Sequence, residues 1–150
     1  MNLKVKGKIP EKTKQKLREA ASFYFKNLEI NEAFLNFLKL KIIVKNFSRK
    51  QKDFRAFCSP EDDAFEIHIN KMSKNYVKTL AHEFVHLKQH LYGETLFSED
   101  NKCYWYGKLW EPKDDEDFYY NSPWEIEAYE KEQVLYEQWC EQTTQTKENH

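Results

Sequence analysis

Glycine and proline are scarce in this chain, three and four residues among 150. There is little room for a Gly-rich loop that cradles phosphates, and none is present. Cysteine is equally sparse: Cys58, Cys103 and Cys140 are far apart, odd in number and without a Cys-x-x-Cys pair. Neither a disulfide framework nor a thiolate zinc site is expected, and a reducing compartment fits best. No run approaches the roughly 18 apolar residues of a membrane span. The stretch from Met1 to Pro10 also lacks the apolar core of a signal peptide. The expectation is a cytoplasmic chain with no membrane partner.

Aromatic residues, by contrast, reach 16% and hydrophobic residues 40%. That composition and length predict one folded domain over 1–150 with a sizeable core. The net charge is only −1, yet it is unevenly spread. Residues 1–80 hold 18 Lys and Arg against 9 Asp and Glu, whereas residues 81–150 hold 6 against 16. Two halves attracting each other within one domain, or simply solvated faces, account for this more readily than nucleic-acid binding by the basic half. A monomer is expected, and there is no internal repeat.

The first helix is predicted over 11–29, with Pro10 near its start and Leu17, Ala20, Ala21, Tyr24, Phe25 and Leu28 as its apolar stripe. Strands are predicted over 38–44, 54–58 and 64–70, the last alternating Phe65, Ile67 and Ile69 with Glu66 and His68. By that alternation His68 reads as an exposed strand histidine. The turn cluster Ser59 to Asp63 separates the second and third strands. Residues 94–122 show no clear period and read as a long aromatic-rich connection. A final helix opens at Ser122-Pro123, with Trp124, Ala128, Leu135 and Trp139 on one side and a frayed polar tail from about Gln142.

The stretch around which the rest is organised is Leu80-Ala81-His82-Glu83-Phe84-Val85-His86-Leu87. Val77, Leu80, Ala81, Phe84, Leu87 and Leu91 recur at helical steps, with Ser73 as a candidate N-cap and Gly93 as the C′ residue. On a helix, His82 and His86 lie one turn apart on one face and can share a Zn²⁺ at about 2.0–2.1 Å. Glu83 can stand beside the metal without ligating it and act as a base.

A catalytic zinc takes three protein ligands and keeps one position open. His90 lies two turns from His82, about 12 Å along the axis, too far to share the metal. The third ligand is therefore sought in the last helix, where Glu125 and Glu127 stand two residues apart, so that only one can face the metal. Glu125 is favoured because it shares a side with Ala128, whose small side chain permits close approach.

His82-Glu83-Phe84-Val85-His86 followed by Pro123-Trp124-Glu125-Ile126-Glu127-Ala128 resembles the gluzincin branch of zinc metallopeptidases. It is similar in particular to small single-domain zincin-like proteins of phages and bacteria, including SprT-like and ImmA/IrrE-type peptidases. The resemblance covers roughly residues 65–140. It implies an α+β minimal zincin-like fold: an N-terminal helix, a sheet of three or four strands, the motif helix and a C-terminal helix carrying the third ligand. It also implies His82, His86 and Glu125 as zinc ligands and Glu83 as the base that activates a metal-bound water to hydrolyse a peptide or protein substrate. Tyr129 departs from the pattern, standing where the family has Asp or Asn. The rival readings are a SprT-like protease working near DNA with a His as third ligand, and a non-catalytic zinc-stabilised binding protein acting through the basic half. Structural zinc sites usually include Cys, and no Cys here has suitable spacing.

Overall fold

The computed structural model describes residues 1–48, 56–61 and 64–148, with the side chains of 56–61, 119 and 146–148 outside the description. In chain order the elements are β1 (Asn2–Gly7), α1 (Glu11–Asn27), a 3₁₀ turn (Glu32–Asn36), β2 (Lys39–Lys45), β3 (Ala56–Glu61), β4 (Ala64–Asn70), α2 (Tyr76–Leu91), β5 (Thr95–Phe97), β6 (Cys103–Trp105), β7 (Lys108–Trp110), α3 (Asp115–Tyr120) and α4 (Pro123–Glu148). The chain is therefore mixed α/β with two small sheets.

The larger sheet has the order β1-β2-β4-β3, with β1, β2 and β4 parallel and β3 antiparallel at one edge. Alternation decides its two faces. Val5, Leu40, Ile42, Val44, Ile67 and Ile69 are all buried and share one side, against which α1 and α2 pack. The other side carries Lys4, Lys6, Lys39, Lys41 and Lys45 on β1 and β2. Gly7 ends β1 at φ 141°, a conformation open to glycine, and a Cβ there would collide with the Val44 carbonyl.

Strand β1 is an element the sequence reading missed. Leu3 and Val5 do alternate with Lys4 and Lys6, but two apolar residues are a faint signal. The strand expected over 54–58 is found as β3, so Ser59 to Glu61 extend it; residues 54–55 and 62–63 lie outside the described residues. His68 is not the exposed strand histidine expected. It is buried at 9% exposure, with Nε2 2.8 Å from Glu66 Oε2.

Helix α1 is held to α2 by the buried Tyr24, whose hydroxyl donates to the Val77 carbonyl at 2.9 Å. Its ring also meets Phe84. Helix α2 is capped by Asn75, whose side chain accepts from the Lys78 amide at 3.1 Å. Ser73, the cap expected, instead has its hydroxyl 2.9 Å from that of Thr79. Gly93 stands at φ 65°, the left-handed conformation that ends the helix.

The aperiodic stretch 94–122 is folded. β5, β6 and β7 form an antiparallel sheet, turned between β6 and β7 by Tyr106 and Gly107, both at positive φ. One face of this sheet, joined by Phe118 of α3, closes around Trp124. The Phe97, Trp110 and Phe118 rings all lie within 6 Å of it and Trp105 at 6.5 Å. Three-residue strands are too short to show a period, which explains the missed reading. Helix α4 packs along α2 and runs on through the segment from Gln142 to Glu148 that was expected to fray. No described helix is long and apolar enough to cross a membrane.

Candidate metal centre

The centre lies where α2 crosses the first turns of α4. His82 and His86 project from one face of α2, with ring centroids 4.9 Å apart and Nε2 atoms separated by 3.2 Å. Glu125, in the first turn of α4, bridges them: Oε1 is 2.8 Å from His86 Nε2 and Oε2 is 3.1 Å from His82 Nε2. One ligand atom from each of the three residues falls within 4.8 Å of the others. Two imidazole nitrogens and one carboxylate oxygen form a donor set suited to zinc, and they leave a fourth position to be filled.

Of the two candidate carboxylates, the structure brings Glu125 to the histidines. Glu127 turns aside, with Oε1 accepting from Gln89 Nε2 at 3.2 Å and lying 3.7 Å from Lys131 Nζ. Ala128 is fully buried at the crossing, and Tyr129 sets its ring 4.6 Å from that of His82. Glu83 is 5% exposed and within electrostatic reach of both imidazoles, so the expected base lies beside the expected ligands. His90 is apart from the cluster, between the rings of Phe65 and Phe97.

Two residues absent from the sequence reading complete the surroundings. Gln89, 1% exposed, places Oε1 2.8 Å from His86 Nδ1 and donates from Nε2 to the Trp124 carbonyl at 3.0 Å. Glu132, 5% exposed, has Oε1 3.4 Å from His82 Nδ1. A signal for Glu132 existed, since it interrupts the apolar side of α4 between Ala128 and Leu135. Gln89 shares the His82–His86 face, but nothing in its type or spacing set it apart.

The charges are strongly coupled. Burial opposes charge on both imidazoles, but hydrogen bonding to Glu125, and for His82 the Glu132 carboxylate nearby, outweighs it. His82 is raised to about 9, and His86 also rises above its ordinary value. Burial pushes the Glu125 carboxyl up, whereas its bonds to His82 and His86 prevail and hold it down to about 2.

No protein-family model, no curated protein and no solved structure matches the chain.

Proposed function

We propose that the chain is a zinc-dependent metallopeptidase of minimal zincin-like architecture. The observation that supports this best is the convergence of His82 Nε2, His86 Nε2 and the Glu125 carboxylate beside the buried Glu83. His82, His86 and Glu125 would hold the ion. When bound, Zn²⁺ supplies Lewis acidity, which polarises a carbonyl and lowers the pKa of water. Glu83 is the proton carrier: its carboxylate takes a proton from the attacking water and delivers it to the departing amine nitrogen. Leu80, Phe84 and Leu87 are fully buried on the opposite face of α2, where they anchor the helix that presents His82 and His86.

Strand addition is the recognition mode we favour for an extended peptide, and it requires a strand at the edge of the sheet. β4 is paired on both sides, by β2 and β3. The edge that runs beside α2 belongs to β3, and Pro60 within β3 is compatible with an edge position.

A second reading has one observation behind it. The outward face of β1 and β2 carries five lysines, with Lys4 directly opposite Lys41, a positive surface that suits a phosphate backbone. This favours a protease working near nucleic acid, with Glu125, not a histidine, as third ligand. Salt-dependent retention on DNA, lost in Lys4→Glu/Lys41→Glu, would support it.

Glu83→Gln tests the primary reading. Zinc content should stay at the wild-type level while cleavage of a casein substrate falls by at least about a hundredfold, the low end for a general base. Activity persisting in the variant would remove Glu83 from the reaction.

A further inference from the structure

The hydrogen bonds around the two histidines form a chain whose direction can be worked out from one end. The Trp124 carbonyl and the Glu127 carboxylate oxygen can only accept, so the Gln89 amide must turn its NH₂ toward them. Its Oε1 then faces His86 Nδ1 at 2.8 Å, and an amide oxygen can only accept. His86 Nδ1 must therefore carry the hydrogen. On the neighbouring ring, His82 Nδ1 faces a carboxylate oxygen of Glu132, another acceptor, at 3.4 Å. His86 is pinned from behind by a hydrogen bond, whereas His82 Nδ1 makes none among the described residues and has only the Glu132 carboxylate at 3.4 Å. Both rings present Nε2 to the same point, 3.2 Å apart.

We propose that Gln89, by its hydrogen bond, and Glu132, by its carboxylate charge 3.4 Å away, are positioning residues that favour the Nδ1–H tautomer of His86 and His82 respectively, so that both Nε2 lone pairs are available to one metal ion. The inference rests on the metal-centre reading and deepens it. Tyr129 contributes no such carboxylate from its place one turn after Glu125, yet Glu132 reaches the same imidazole from one turn further along α4. Residues 125, 128, 129 and 132 share one face of that helix, so one element delivers both the third ligand and the group that orients the first. Gln89 adds a mechanical role. By gripping the Trp124 carbonyl it ties the back of His86 to the turn from which Glu125 projects.

Three measurements test this. Competition with a chromophoric chelator gives zinc affinity for wild type, Gln89→Met, Glu132→Met and Glu132→Gln. The two methionine variants should bind zinc about 10- to 100-fold more weakly, the range for lost outer hydrogen bonds to metal-bound histidines. Glu132→Gln keeps an acceptor oxygen without the charge and should recover part of the loss, which a purely space-filling role would not require. The ¹⁵N spectrum of zinc-loaded wild type should show Nδ1–H on both His82 and His86. Affinities of the methionine variants within threefold of wild type, or Nδ1 bound to zinc, would overturn the proposal. In metal-free protein at pH 10 the same spectrum reads the tautomers without zinc, and Nε2–H on His86 there would overturn the lock by itself. A wild type that takes up no zinc would instead overturn the metallopeptidase reading and the affinity half of this one, leaving the pH 10 spectrum to decide the tautomers.

Discussion

Two glutamates separated by a single residue meet very different surroundings. Glu125 accepts from both imidazoles, whereas Glu127 is held by Gln89 and Lys131. Elemental analysis after dialysis should therefore find little or no zinc in Glu125→Ala and close to one equivalent in Glu127→Ala; the reverse pattern would exchange their roles. His90 offers a residue-scale test that needs no metal. Burial, together with the nearby His86 charge, holds its pKa down to about 4, against about 6.5 in an unfolded chain. Between these values the unfolded chain binds the extra proton. The stability contributed by neutral His90 is therefore complete above pH 6.5 and is lost as the pH falls toward 4. The His82–Glu125 pair changes outside most of that window, since raised His82 loses its contribution from about 6.5 up to 9 and depressed Glu125 from about 4.5 down to 2. Urea midpoints of the metal-free protein should drop between pH 6.5 and 4.5, and His90→Gln should flatten the drop. An unchanged slope in the variant would mean that another group is responsible.

At the scale of elements, the tightest constraint is where β1 meets β2. Gly7 combines a positive φ with no room for a Cβ beside Val44. Gly7→Ala should destabilise the protein by about 1–3 kcal/mol, read from the shift in its denaturation midpoint. A midpoint within about 0.5 kcal/mol of wild type would show that β1 can shift to accommodate the methyl group. Legibility in the sequence followed how many residues each element gives its pattern. The sixteen residues of α2 and the seven of β4 were found close to their true ends, because each repeats its period several times. β5, β6 and β7 have three residues each, too few to show a period in the sequence. The candidate site divides along similar lines. His82, Glu83 and His86 are legible because their spacing carries the chemistry. The preference for Glu125 over Glu127 came from helix geometry. Gln89 needed coordinates, because its importance lies in which atoms of α4 it meets.

For the molecule as a whole, the uneven charge is arranged by layer. Lysines face outward from β1 and β2 while acidic residues gather on α3 and α4, and among the described residues the Lys and Arg ion pairs Arg18–Glu11, Lys88–Glu94, Lys102–Asp100 and Lys131–Glu127 each join residues of one half. Zipping of the two halves by such pairs is therefore not what these contacts provide. What joins them is the core shared by the sheet, α1, α2 and α4, together with the proposed centre. A ligand that binds only the folded chain stabilises it by mass action. Zinc at a hundredfold excess over its dissociation constant should add about 2.7 kcal/mol, a chelator should remove that gain, and Glu125→Ala should show none. A denaturation midpoint indifferent to zinc would count against a site spanning α2 and α4.

Trp124 immediately precedes Glu125, and its ring is enclosed by residues of β5, β6, β7 and α3. During synthesis the motif helix emerges well before the segments that seat this tryptophan. A ribosome-bound chain with α2 already formed would thus hold two histidines and no third donor. On the peptidase reading proposed above, competence would arrive late, as the newly made protein closes its aromatic clasp, and a half-built copy would be spared from attacking its own unfolded remainder.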